Sequence, residues 1–350
     1  MRYVSLDSVA LRGATYIIPP LALVALSVLS LIIGSIRIPA STTFRIVGSQ
    51  IPGISSYIHA TWPRAYYIIV VYLREPEVIG SLVVGASLGV GGAVIQSVFR
   101  NPITEPYIIG ISSGAALGAV IAFVSGITVF GIYSLQVLAF VFSIAVVSAV
   151  YLFSFRGGRA PPTYLLLAGI AISLFTSSMV ALLLYTRPAL ENEAYFWLLG
   201  SINGITWGEL RPVTVVVVLC MAAAFSMNRS LDALQLGDQH AHSIGVRVER
   251  VRATAIAVTT LSVSAVVSVS GLIGFVGLIV PHISRILYGG TNSKVIPYSA
   301  VFGAMFLLVA EDVSKMVLPG EVIPIGIVTG IVGVPFFLYL VRRVVHGTAR

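Results

Sequence analysis

Charged residues are scarce in this chain. Asp, Glu, Lys and Arg make up 10% of its 350 residues, against about 25% in ordinary soluble domains, while 57% are hydrophobic. That balance excludes a water-soluble globule and an intrinsically disordered chain. Cysteine is almost missing too. Cys220 stands alone, so no disulfide can form within the chain and a secreted disulfide scaffold is excluded. Lysine occurs only at Lys294 and Lys315, each time after Ser. A Walker A loop needs Lys after Gly, with Ser or Thr following, so that backbone amides and the ammonium can hold phosphates; no such nucleotide site is present. His240 and His242 sit two apart, poor spacing for a shared helical metal site, which favours i and i+4. Around Pro281, His282 and Arg285 there is no His-Glu-x-x-His pattern and no acidic pair, so neither a metal centre nor an intramembrane enzyme is indicated. His282 is expected to cap or hydrogen-bond a short helix.

What the chain has instead is apolar length. Residues 13–36, 78–99, 106–155, 160–186 and 253–284 carry no charged side chain, and a helix crossing a bilayer needs about 20 apolar residues. The pattern predicts an all-α, polytopic membrane protein. The 106–155 run is too long for one crossing and is broken at Gly126 and Gly131, so it reads as a helical hairpin. Ten helices are expected, near 14–36, 77–99, 107–126, 133–155, 163–185, 211–228, 252–270, a short one at 272–287, 296–317 and 322–341. With ten spans both termini share a side, which then holds most of the basic residues, Arg100, Arg156, Arg159, Arg247 and Arg250 among them. The positive-inside rule makes that side cytoplasmic. The net charge of +8 is thus explained by topology, and a nucleic-acid partner is excluded. Gly85 and Gly89, Gly110, Gly114 and Gly118, and Gly326 and Gly330 recur at four-residue spacing and predict close helix packing within the chain.

Two segments stand out. Residues 229–252 read as two short helices separated near Gly237 and ended near Gly245, with apolar Leu231, Leu234, Leu236 and Ile244 among polar neighbours. Such a surface wants a partner. Glu311 and Asp312 are the deepest charges, and Glu311 can pair with Lys315 one turn on. Their depth keeps an ion-coupled secondary transporter open as the alternative function.

Several stretches resemble one family. They are Leu-Arg-Glu-Pro-Glu at 73–77, Val-Gly-Ala-Ser-Leu-Gly-Val-Gly-Gly-Ala-Val-Ile-Gln-Ser-Val-Phe-Arg-Asn-Pro-Ile-Thr-Glu-Pro at 84–106, and Ile-Gly-Ile-Ser-Ser-Gly-Ala at 109–115. Further along come Leu-Leu-Leu-Ala-Gly at 165–169, Leu-Gly-Asp at 236–238, Gly-Phe-Val-Gly-Leu-Ile-Val-Pro-His-Ile-Ser-Arg at 274–285 and Pro-Ile-Gly-Ile-Val-Thr-Gly at 324–330. In order and content they are similar to permease subunits of the iron-siderophore, haem and vitamin B12 importers.

The resemblance implies a single permease domain over 1–350 with about ten transmembrane helices, the subunit of a type II ATP-binding-cassette importer in the cell membrane. It implies a homodimer, two ATPase subunits that bind ATP and magnesium, and an extracytoplasmic substrate-binding protein. Neither cofactor nor metal is expected on this chain. The cargo is an iron chelate, haem or a corrinoid, with an oxyanion such as molybdate less favoured. Residues 229–246 match the family's coupling helices, with Leu236, Gly237, Asp238, Ile244 and Gly245 facing the ATPase. The path implied runs along the fifth span, where Ser173, Thr176 and Ser177 are the polar candidates. Gate positions match Asn101 and Ile103, Pro161 and Pro162, and Ala181; the prolines and Ala181 are less polar than in the vitamin B12 permease. Arg74 and Lys315 match residues that meet carboxylates on the binding protein, and Glu77 reverses the family's charge. It is therefore expected to face a basic residue there or to pair locally with Arg74.

Overall fold

The computed structural model describes residues 9–347 apart from positions 35, 54 and 319, and every element among them is helical, apart from one isolated bridge between Arg156 and Arg159. In chain order the helices are α1 (Val9–Ser30), α2 (Ala40–Gly48), α3 (Arg64–Ile68), α4 (Glu75–Phe99), α5 (Ile111–Ser125), α6 (Ser134–Ser154), α7 (Pro162–Thr186), α8 (Glu191–Leu198), α9 (Trp207–Ser226), α10 (Asn228–Gln235), α11 (Asp238–Ser243), α12 (Val248–Ser270), α13 (Val276–Tyr288), α14 (Asn292–Met316) and α15 (Ile325–Gly347). A helix stands at each of the ten expected positions. Among the described residues six helices are long and apolar enough to cross a membrane, and four shorter apolar ones accompany them. The chain is a multi-pass membrane protein.

Departures from the expected boundaries have physical causes. The second span begins far upstream: α3 runs through a π-helical stretch, Ile69–Arg74, straight into α4, giving one continuous helix over Arg64–Phe99. The wider turn frees a carbonyl at Val71, and the Trp207 indole N–H donates to it at 2.8 Å. α1 ends earlier than expected, and the turn that follows it has carbonyls that need donors. Arg74 supplies them, donating to Leu31 O at 3.0 Å, to Ile32 O at 3.1 Å and to Ile36 O.

α4 is the axis of the bundle. Its apolar window is 78% buried, whereas that of α7 is only 17% buried. α14, α12 and α13 pack directly on α4, α5 and α6 form the expected hairpin, and α7 lies against that hairpin. Glycine makes these approaches possible. A Cβ at Gly85 would collide with the Gly303 carbonyl on α14, and one at Gly118 with the Leu138 carbonyl on α6. Gly330 differs from the expectation, because it has open space around it.

At the end of the bundle where α1 finishes, acidic and basic residues meet away from water. Lys315 Nζ lies 2.8 Å from Glu77 Oε2 and 3.2 Å from Glu311 Oε1, with the three side chains almost fully covered. Glu77 also accepts from the Gly204 N–H at 3.2 Å, and Asp312 accepts from Ser30 at 2.7 Å. These contacts tie α1, α4, α14 and the loop before α9 together.

Two outcomes follow. Gly118→Ala lowers stability by about 1–3 kcal/mol through overpacking, whereas Gly330→Ala is neutral or slightly stabilising; thermal unfolding in detergent reads both. Lys315→Met leaves two buried carboxylates without their cation and costs about 3–5 kcal/mol. Adding Glu77→Gln and Glu311→Gln recovers much of that loss, and a triple variant no more stable than Lys315→Met would contradict the pairing.

Candidate functional site: a coupled end and a cavity

At the opposite end, α10 and α11 form a short platform. Leu231 and Leu234 of α10 are fully buried in the chain's own core, which corrects the expectation that both belong to a partner-facing surface. α10 carries them on one face, and that face docks onto α4 and α14. Asp232 secures the dock by accepting from the Asn292 backbone N–H at 2.7 Å and from its side-chain amide at 2.9 Å, at the first residue of α14. Gln235 donates to Ser97 at 2.8 Å. Gly237 then turns the chain with φ of +111°, a conformation that side chains rarely adopt, and Gly245 closes α11 with φ of +86°.

What remains outside is apolar. Leu236 is 68% exposed and Ile244 58% exposed, one on each side of α11. Between them Asp238 faces inward and is held by two arginines. Arg100 lies at 3.0 Å, and the fully buried Arg252 grips both carboxylate oxygens at 2.9 and 3.0 Å. Arg252 also reaches Glu249 at 2.5 Å, and Glu249 accepts from the Ala160 N–H at 3.0 Å, immediately before α7. Asp238 thus links α11 to α4, α12 and the start of α7. Sequence reasoning found Asp238 but missed Arg100, Glu249 and Arg252. The i, i+3 spacing of Glu249 and Arg252 was the available signal.

Beside this platform a cavity of about 840 Å³ opens along α7. Ile103, Glu105 and Tyr107 border it from the α4–α5 connection, Ser113 from α5, Ser173 and Ser177 from α7, and Phe275 from the start of α13. Ser113 and Ser173 hydrogen-bond to each other at 3.1 Å. Ser173 and Ser177 both face this cavity. Thr176 does not: it is buried toward the bundle and its hydroxyl back-bonds to Ile172 O and Ser173 O, both at 3.0 Å. Ala181 is exposed outside the cavity wall, and its neighbour Val180 lines the space instead.

The remaining gate candidates separate. Ile103 borders the large cavity, while Asn101 borders a smaller one of about 210 Å³ with Gln96, Arg100, Pro102, Gln235 and Arg285. Asn101 Oδ1 accepts from the Ile103 N–H at 3.1 Å and shapes the turn. Pro161 and Pro162 start α7 at its N-cap and first helical position, where a proline's missing N–H is harmless. Glu105 borders the large cavity beside Phe275. His282 lies edge-on to Phe336 of α15.

The expected docking charges are corrected. Arg74 is 4% exposed and binds the carbonyls of the turn after α1, and Glu77 pairs with Lys315 rather than with Arg74 or an outside base. All three are satisfied inside the bundle and present no free charge to a partner. Glu311 is paired with Lys315, as the sequence suggested. Among the described residues no cluster of three or more His, Cys, Asp or Glu could hold a metal.

Known proteins share this arrangement. The profile of the FecCD transport family matches residues 22–343. The cobalamin import system permease protein BtuC of Halobacterium salinarum is 36% identical over 281 residues, 80% of this chain and 75% of the relative. The molybdate import system permease protein MolB of Haemophilus influenzae is 34% identical over 281 residues, 80% of this chain and 82% of the relative. A solved metal-chelate type ABC transporter in an inward-facing conformation superposes with a TM-score of 0.79 at 31% identity, covering 95% of this chain and 99% of that one. By sequence across nearly its whole length and by fold, the chain belongs to the FecCD transport family.

Proposed function

We propose that this chain is the permease subunit of a binding-protein-dependent importer that moves an iron chelate, haem or a corrinoid into the cytoplasm. Two copies enclose the path, two ATPase subunits bind ATP and magnesium, and a binding protein delivers cargo on the outer face. Both termini and the α10–α11 platform are cytoplasmic in this reading.

The observation that carries it is the pair Leu236 and Ile244, large apolar side chains held out on a platform pinned by Asp238, in a chain without a nucleotide loop. An apolar pair on a rigid mount suits a groove in a separate ATPase. Leu236, Gly237, Asp238, Ile244 and Gly245 form the coupling element, and closure of the ATPase dimer moves it. A second copy is supported by α7, which leaves Tyr164, Leu174, Phe175 and Tyr185 at least half exposed next to the cavity. Ile103, Ser173 and Ser177 line the path, whose hydroxyl and apolar wall suits a bulky chelate. Among the described residues no Lys or Arg lines the cavity, which offers an oxyanion no cation from them. With Glu311 held by Lys315, the ion-coupled alternative loses its most deeply buried carboxylate to a structural pair.

Uptake into proteoliposomes holding this chain, its ATPase and its binding protein tests the reading, with ferric siderophores, haem, cobalamin and molybdate offered in parallel. ATP-dependent uptake of one chelate that survives an uncoupler is expected. Uptake driven by an ion gradient without the ATPase would overturn it. Gly237→Leu and Gly245→Leu insert normally but lose roughly 10-fold or more of transport per ATP hydrolysed, since a side chain at positive φ distorts the platform. In a Cys220→Ala background, single cysteines replacing Tyr164, Phe175 or Tyr185 are expected to cross-link two copies. A monomer at all three positions would refute the dimer across α7.

A further inference from the structure

The segment between α12 and α13, residues 271–275, is unwound inside the bundle. Gly271 has φ of +65° and Phe275 φ of +68°, and Phe275 and Arg100 are the two non-glycine residues with positive φ among the described residues. Unwound backbone at that depth cannot rely on water, so its N–H and C=O groups need partners from the protein.

The connection between α4 and α5 provides them. Tyr107 Oη donates to Ile273 O at 3.0 Å and accepts from the Ile273 N–H at 3.2 Å, satisfying both backbone groups of one residue. The Glu105 carboxylate lies beside Phe275 at the N-terminus of α13, where the helix dipole favours negative charge. Pro106 fits against Gly277 so closely that a Cβ there would come within 2.7 Å of the proline ring. Gln96, one turn before the end of α4, donates to Gly277 O and Leu278 O at 3.4 and 3.3 Å. The same connection begins at Arg100, whose guanidinium holds Asp238 of α11. One short stretch is therefore fastened to the α11 platform at one end and to the α12–α13 break at the other. Glu105, Tyr107 and Phe275 all border the large cavity.

We propose that Glu105 and Tyr107 are positioning residues that latch the turn at residues 101–103 to the backbone of the α12–α13 break, so that turn and α13 move as one body when α11 is displaced. The motion's role in transport rests on the importer reading; the latch itself rests on the Tyr107–Ile273 hydrogen bonds. Tyr107 fixes the break by pairing Ile273 on both sides. Glu105 steadies the start of α13 by placing its carboxylate at the positive end of that helix. Displacement of α11 then reaches the cavity wall without any new contact having to form.

Hydrogen exchange on the full complex in nanodiscs tests this, comparing wild type, Tyr107→Phe, Glu105→Ala and Glu105→Gln with and without vanadate-trapped nucleotide. Exchange at Ile273 should rise about tenfold in Tyr107→Phe, the equivalent of one lost hydrogen bond. Phe275 should respond similarly in Glu105→Ala, while Glu105→Gln, which keeps an acceptor oxygen, retains protection. In wild type, trapping should change residues 101–107 and 271–276 together; in Tyr107→Phe it should change the first segment alone, with transport per ATP reduced. Unchanged exchange in both disrupting variants, or separate responses already in wild type, would overturn the latch. A wild-type complex that hydrolyses ATP but imports no chelate would sink the importer reading instead, while the exchange pattern still decides the latch.

Discussion

Inside a bilayer the backbone has no water to turn to, and that constraint governs this structure. Wherever a helix ends or widens within the bundle, a side chain from elsewhere takes over the unpaired groups. Arg74 does so for the turn after α1, Trp207 for the π-helical stretch before α4, and Tyr107 for the break before α13. Each of these side chains is committed by the local backbone, so none is available to a partner.

Close packing around α4 gives these contacts their precision. Glycine lets α14 and α13 approach α4 until backbone touches backbone, and shape rather than burial of oil from water then decides the fit. α7 is the counterexample within the same chain. It starts at a pair of prolines, carries few buried residues and keeps a cavity with four serines along its side. A helix so exposed has its own packing only half completed. The α10–α11 platform shows the same economy at smaller scale, with Leu231 and Leu234 turned in and Leu236 and Ile244 left out.

Charge follows one rule at both ends. Asp238 is half exposed, yet its partner Arg252 is fully buried, so the ion pair locates α11 relative to α12 rather than adding a surface bridge of small value. Lys315 between Glu77 and Glu311 does the same for α4 and α14. A buried ion pair stabilises less than its Coulomb energy suggests, but breaking it is costly, and that asymmetry suits a joint that must hold one register.

Helices at the ten expected positions, the hairpin at 106–155, the two short helices around Gly237 and the Glu311–Lys315 pair were all legible in the amino-acid sequence, because each depends on local apolar length, glycine or i, i+4 spacing. Of the residues singled out by resemblance, Ile103, Ser173 and Ser177 border the large cavity and Asp238 holds an ion pair. Tertiary structure alone decided which side of a helix a residue shows. Thr176 turned inward while Ser173 and Ser177 faced the cavity, and Arg74 turned from an expected outer surface to the carbonyls that follow α1. It also decided which distant residues meet, since Tyr107 with Ile273 and Arg100 with Asp238 are joined by no local pattern. Hydrophobic periodicity sets where a helix lies in the membrane, but in a chain apolar on nearly every face it does not set the helix's rotation, which only packing against neighbours can fix.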